Sequence, residues 1–267
     1  AQGEYYLTDV VAAALADGVA VHAQLCDDAD DARGVNDRVQ LAAVERIVQR
    51  RCAEALMRAG TTIADPARID IRGTLTAARD TFIDVGCVFE GDVVLDEGAR
   101  IGPHCVLRNT RVGAGTQIHA NSHLDGATIA QRCSIGPYAR LRPGATLGDD
   151  VHIGNFVEVK ASDVGARSKA NHLAYIGDAT VGADVNFGAG SITANYDGAN
   201  KHRTVIGDNV HVGSNCVLVA PIDIGAGATI GGGSTITQGA PAGQLTVARA
   251  RQTSLASWKR PRKDKKG

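Results

Sequence analysis

The feature that most constrains this chain is a repeat of six residues that sets in near residue 80 and runs to about residue 236. Apolar side chains recur at Ile83, Phe89, Leu95, Ile101 and Leu107, then after a step of five at Val112, Ile118 and Leu124. A second step of five leads to Ile129, Ile135, Leu141, Leu147, Ile153 and Val159, and after Val164 the frame passes through Ile176, Val181 and Phe187. Beyond one insertion it resumes at Ile206, Val212, Leu218, Ile224, Ile230 and Ile236. A period of six fits neither the 3.6 of a helix nor the two of a strand. It is the sign of a parallel β-helix, in which three hexapeptides make one triangular coil with the apolar residue pointing inward. Gly follows many of these residues, as in VGAG, IGPY and IGNF, and is expected at the corner, where a Cβ would be strained. About nine coils spaced ~4.8 Å apart predict a prism roughly 40 Å long. Such a core is a ladder of Ile, Val and Leu, which accounts for a chain of 267 residues with 32 Gly and only ten aromatic residues.

The first 60 residues behave differently. VVAAALADG reads as a helix stopped by Gly18, VAVHAQL as a short strand and DDADDARG as an acidic loop. From Asn36 to Arg58 the pattern becomes a long amphipathic helix with Val44, Ile47, Val48, Cys52, Ala55 and Leu56 on one face. Gly60 and Pro66 mark its end and a domain boundary. The chain starts without Met directly before GEYYLTD, which reads as a fragment whose natural N-terminus lies upstream.

A net charge of -1 supplies no global field to gather nucleic acid or an anionic membrane, so an anionic ligand must be held locally. No apolar run approaches the ~18 residues that span a bilayer, and the start lacks the regions of a signal peptide. A cytoplasmic protein is expected. Cys26, Cys52, Cys87, Cys105, Cys133 and Cys216 include no CxxC pair and are mostly flanked by apolar residues. Buried small hydrophobes are expected ahead of disulfides or a zinc site.

The register permits an argument about chemistry, because residues one coil apart stack. Arg142 and Lys160 lie 18 residues apart, each directly after an inward residue, so two cations should face each other on adjacent coils. Like charges so opposed are destabilising. A bound phosphate would relieve them; the alternative is neutralisation by Asp125, one coil earlier, and Glu158. The same counting places Asn155, His172 and Ala189 in one column and Glu158 and Tyr175 in the next. A lone His is more often a surface or packed residue than a catalyst. Here a carboxylate that can orient it and a cationic pair beside it are what a base acting on a phosphorylated substrate needs. The insertion ANYDGANKHR, opening on Asn195 and Tyr196, reads either as a binding loop ejected from the wall or as a plain surface loop.

GEYYLTD, GVNDRVQL, RLRPGA, GNFVEVK, SKANHLAYIGD, VNFGAGSITANYDGANKHRT and VGSNCVLVAP occur in that order. Together they resemble the bacterial bifunctional N-acetylglucosamine-1-phosphate uridyltransferase and glucosamine-1-phosphate N-acetyltransferase family over nearly the whole chain. The resemblance implies a left-handed parallel β-helix preceded by a short α/β remnant and a linker helix. Its expected limits are 1–36 for the uridyltransferase remnant, 37–66 for the linker, 67–250 for the acetyltransferase domain and 251–267 for a basic tail.

The reaction implied is direct acetyl transfer from acetyl-CoA to the amine of glucosamine-1-phosphate, with no acyl-enzyme and no catalytic Cys. Matched by motif, His172 would be the general base, a task suited to an imidazole, whose ordinary pKa is about 6.5. Arg142, Lys160, Tyr175 and Asn186 would bind the sugar phosphate. Ala189, Asn195, Tyr196, Ser214, Gly232 and Arg249 would contact acetyl-CoA, Gly232 at a position where the family often carries Ala. A backbone N–H near Ala189 is the expected donor to the thioester oxyanion. Asn36 matches a metal ligand of the uridyltransferase, which uses Mg2+ together with an Asp that belongs to a region upstream. No uridyltransferase activity is expected of this chain alone. The family's parallel homotrimer implies acetyl-CoA held between subunits. The tail WKRPRKDKKG has six basic residues after Trp258; the resemblance assigns it to CoA rather than nucleic acid.

Two rival classes remain. Some hexapeptide proteins are metalloenzymes with three His at a trimer interface, and His119, His123 and His152 could be imagined so, although their spacing does not put them in one column. The β-helix could also be a trimerisation scaffold that binds no acetyl-CoA.

Overall fold

The computed structural model describes residues 6–260, so the start of GEYYLTD and the end of the basic tail lie outside the described residues. The chain divides into two compact units between Val48 and Gln49. In the first, helix α1 (Asp9–Ala16) gives way at Gly18, which takes φ 72°. Residues 19–26, expected to include a strand, form none; a lone strand has no ladder partner to satisfy its backbone. Helix α2 (Arg38–Arg58) begins where the Asp37 carboxylate accepts the Gln40 N–H at 2.7 Å. The Gln40 side chain in return accepts the Asn36 N–H at 2.6 Å. No helix among the described residues is long and apolar enough to cross a membrane.

The second unit is the β-helix. One face is a parallel sheet of eleven strands, from Thr62–Ile63 to Leu245–Thr246. That exceeds the expected nine coils, because the prism extends past the hexapeptide run at both ends. The other faces belong to one 17-stranded sheet. They are joined at the base by two nine-residue strands, Ile69–Ala77 and Cys87–Leu95, which run unbroken through the corner. The turn there is made at Gly73, with φ 146°, and a Cβ on it would sit 2.7 Å from the Gly91 nitrogen.

Every inward position of the six-residue frame is at most 4% exposed, so the period is the core. The glycines that follow these residues serve a purpose other than the one expected. A Cβ on Gly113 would lie 2.6 Å from the carbonyl carbon and oxygen of Ala130 on the next coil. Close approach between coils, not a left-handed φ, excludes the side chain. The left-handed residue comes two positions later, as at Gly115 (φ 65°) or Asp150 (φ 58°).

On helix α2, Val44, Ile47, Cys52 and Leu56 are half-buried as expected, but Val48 and Ala55 are exposed, and Gln49 and Ala53 are buried in their place. Gln49 donates to the Ile71 carbonyl at 2.8 Å and accepts the Ile71 N–H at 2.7 Å. An amide thereby caps the open edge of the first coil as a strand would. Cys87, Cys105, Cys133 and Cys216 are buried and unpaired as expected, with burial pushing Cys87 up to about 12 and Cys105 to about 11. Cys26, by contrast, is exposed and Cys52 half-buried.

Candidate functional site

The register brings most of the candidate residues onto one edge of the prism. Asn155 pairs with His172 across adjacent coils. The column continues through Ala189, whose carbonyl accepts the Asn215 N–H at 2.8 Å, and Ser214, whose carbonyl accepts the Gly233 N–H at 2.8 Å. It passes Gly232, whose carbonyl accepts Nη1 of Arg249 at 2.7 Å. His172 and the residues matched to acetyl-CoA at Ala189, Ser214, Gly232 and Arg249 thus lie in order along one line.

His172 is exposed, and its Nδ1 lies 2.7 Å from Oδ1 of Asn155. The orienting group is this amide and not the carboxylate anticipated from the sequence. Glu158 is turned away to Arg142, at 2.9 Å, and Arg140, at 3.5 Å. The Ala189 N–H makes no hydrogen bond to a protein acceptor among the described residues. It therefore remains a donor free to meet a ligand.

Arg142 and Lys160 do face each other, since Leu141 pairs with Val159. Each already has a carboxylate: Glu158 for Arg142, and Asp178 for Lys160 at 3.0 Å. Asp125, the counter-ion considered for Arg142, forms no ion pair among the described residues. Burial pushes the Asp178 carboxyl up, but Lys160 and Asn195 outweigh it and hold it below the usual carboxylate range. Asp178 keeps Lys160 firmly charged. Lys201 was missed by sequence reasoning. The neighbouring Lys160, and further off Arg142, press it below the usual lysine value. Arg140, Arg142, Lys160 and Lys201 outnumber the two carboxylates paired with them, which leaves a local excess of positive charge. The signal for Lys201 was its place in the one insertion; its column could not be counted because the loop has no register.

The insertion occupies residues 195–203, between strands Ile192–Ala194 and Thr204–Ile206. Asp197 closes it, accepting the N–H groups of Ala199 at 2.8 Å and Asn200 at 2.7 Å and the ring Nε2 of His202 at 2.6 Å. The Asn200 amide, then His202 and Ala199, hold its carboxyl far below the usual range. At the loop's base Asn195 donates to Asp178 and, at 3.4 Å, to the Tyr175 hydroxyl. Tyr196 is exposed, its hydroxyl donating to the Gly198 carbonyl at 2.6 Å. Asn186 stands on the eleven-stranded face between Lys169 and His211. Asn36 belongs to the other unit. Of the three histidines of the metal reading, His119 hydrogen-bonds Ser134 at 2.9 Å, while His123 is on the other sheet opposite Arg140. The described residues hold no group of three metal ligands.

The arrangement offers an oriented imidazole, a cationic cluster with a tyrosine beside it, and a line of backbone leading away. The model of the GMPPB C-terminal domain matches residues 71–172, and that of the bacterial transferase hexapeptide (six repeats) matches residues 203–238. The chain is similar to a protein of Methylibium petroleiphilum named bifunctional protein GlmU, being 65% identical over 263 residues, 98% of this chain and 57% of that protein. A protein of the same name in Herminiimonas arsenicoxydans is 62% identical over 266 residues, 100% of this chain and 59% of that one. The chain therefore spans less than two thirds of the curated relatives it matches. Among solved structures, the Francisella novicida UDP-N-acetylglucosamine acyltransferase overlaps 70% of this chain and 67% of its own with 17% identity and a TM-score of 0.43, too little to bear on the site.

Proposed function

Because the chain belongs among the bifunctional GlmU proteins and corresponds to their C-terminal part, we propose that it is a glucosamine-1-phosphate N-acetyltransferase using acetyl-CoA. The observation that carries this reading is the single edge on which an oriented His172 stands between a cationic cluster and a line of candidate cosubstrate contacts.

In this reading Arg142, Lys160 and Lys201 take the sugar phosphate, with Tyr175 and Asn186 against the sugar. Carboxylate partners keep the cations placed before the anion arrives. Acetyl-CoA lies along Ala189, Ser214, Gly232 and Arg249, with its acetyl end near Asn195 and Tyr196. The substrate amine attacks the thioester carbonyl as His172 Nε2 removes its proton. The Ala189 N–H donates to the oxyanion. Collapse expels the CoA thiolate, which regains the proton from the imidazolium, so no acyl-enzyme intervenes.

A homotrimer with acetyl-CoA between subunits, a left-handed coil and a cytoplasmic location complete the proposal. An apolar ladder of Tyr138, Phe156 and Leu173 beside the His172 column supports subunit packing there. The uridyltransferase reaction and its Mg2+, to which Asn36 would contribute in the whole protein, are not assigned to this chain. The test is release of CoA from acetyl-CoA on adding glucosamine-1-phosphate. Turnover that falls a hundredfold or more in His172→Ala is expected. A folded parent without turnover would overturn the assignment.

A further inference from the structure

Thr193 is the one polar residue in an inward column that otherwise runs from Phe89 and Leu107 through Leu124, Leu141, Val159 and Ile176 to Leu218 and Ile236. Its hydroxyl accepts the N–H of Gly177 at 2.8 Å and donates to the Gly177 carbonyl at 2.9 Å. Both hydrogen-bonding groups of one glycine are thus pinned by a buried side chain that is itself 1% exposed. Gly177 stacks on Lys160 and lies two residues past Tyr175, on the same side of the strand.

A Cβ on Gly177 would lie 2.6 Å from Cε1 of Tyr175 and closer still to its Cζ and Oη; all three nearest atoms belong to that ring. The backbone at Gly177 is outside the left-handed region, so an alanine there meets no strain of its own. The ring is the nearest obstacle. With the peptide fixed by Thr193, the ring would have to yield, and its hydroxyl would leave Asn195.

We propose that Gly177 is a positioning residue: held by Thr193, it gives the Tyr175 ring a flat seat against the wall, with the hydroxyl toward Asn195 and Lys160 left open. This rests on the assignment of Tyr175 to the amino sugar. Every other residue proposed for the sugar contributes a side chain; this one contributes the absence of one.

The test is Gly177→Ala. KM for glucosamine-1-phosphate is expected to rise about tenfold or more, with kcat changed less than about threefold, because binding common to ground and transition states is what is lost. The melting temperature should not fall. In a Tyr175→Ala background the same substitution should change KM less than about twofold, since a residue acting only through Tyr175 has no effect once the ring is gone. An unchanged KM in the single variant, or an undiminished effect in the double variant, overturns the proposal. If the parent itself shows no turnover, the acetyltransferase reading is what fails. The crystal structure of Gly177→Ala then decides the seat: a ring moved away from Asn195 supports it, and a ring in its parental place refutes it.

Discussion

Nδ1 of His172 meets Oδ1 of Asn155 at 2.7 Å, one coil below. An amide oxygen only accepts, so Nδ1 carries the proton, and in the neutral imidazole Nε2 is left with the lone pair. Asn155 fixes tautomer and ring orientation together. Asn155→Ala is expected to lower kcat about tenfold while KM for both substrates stays within about threefold, and His172→Ala to lower kcat a hundredfold or more. Steady-state CoA release measures both. Parental kcat in Asn155→Ala would remove Asn155 from the mechanism.

The cationic cluster makes a second prediction. Lys160 and Lys201 crowd each other; Asp178 forms its ion pair with Lys160 and attracts Lys201 too weakly to offset the repulsion. A dianionic phosphate would gain most from Lys201, whose charge is least compensated. Lys201→Met should raise KM for the sugar phosphate about tenfold, in line with one charge-assisted hydrogen bond, and leave KM for acetyl-CoA unaltered. The parental KM should climb with ionic strength, as screening of an exposed cluster requires. A Lys201 variant with parental KM at low salt would exclude it from the phosphate site.

The β-helix was legible because a six-residue period is a direct image of the coil, and counting by coils placed Arg142 over Lys160 and His172 over Asn155 without coordinates. Counting gives columns, not side-chain directions. Glu158 and Asn155 both stood within reach of His172, and the choice between them depended on Arg140 and Arg142 drawing Glu158 aside. Lys201 escaped for a different reason: its loop folds back on itself, Tyr196 bridging Lys201 antiparallel and Asp197 closing the turn, so the six-residue period of the coils does not run through it. Gln49 escaped too, because a helix face read by hydrophobicity alone hides a polar residue that caps a sheet edge.

Gly232 tests whether the line of contacts is made by backbone. A Cβ there would come no closer than 3.3 Å to any atom, that atom being the Ser214 carbonyl oxygen, and Gly232 is not in the left-handed region. Gly232→Ala should keep KM for acetyl-CoA within about threefold and leave stability equal or slightly higher, as for Gly→Ala at a compatible backbone. A tenfold rise in KM would mean that the cosubstrate packs onto the Cα itself.

Asp197 gives a dependence on pH with a definite sign. Its folded pKa is depressed, chiefly by the Asn200 N–H, so its contribution to loop closure is fully present above the ordinary carboxylate value near 3.9. Closure is lost only as pH falls through the lower folded value. The amide proton shifts of Ala199 and Asn200 should therefore hold steady from pH 7 to about pH 4 and move below it. Asp197→Ala should shift both at neutral pH. Movement of the parental amides already at pH 5 would contradict the hydrogen-bonded geometry.

Tyr138, Phe156 and Leu173 occupy successive coils at one corner, all left-handed at φ 56°, 58° and 49° and all more than half exposed, the two rings stacked 5.5 Å apart. Left-handed backbone at large apolar residues costs of order 1–3 kcal/mol each. Elsewhere the left-handed position is mostly Asp, Asn or Gly, as at Gly190 on the next coil of this corner and at Asp184 and Asn209 on another. Three exposed apolar residues where small polar ones would serve better imply that a surface covers them, and the proposed trimer supplies it next to His172. Phe156→Glu should shift the proposed trimer toward monomer in sedimentation velocity and abolish turnover even though His172 and Asn155 are untouched. Asn209→Glu, at an equivalent corner in another column, should leave both unchanged. A Phe156→Glu variant that stays trimeric and active would place the subunit contact on a different edge of the prism.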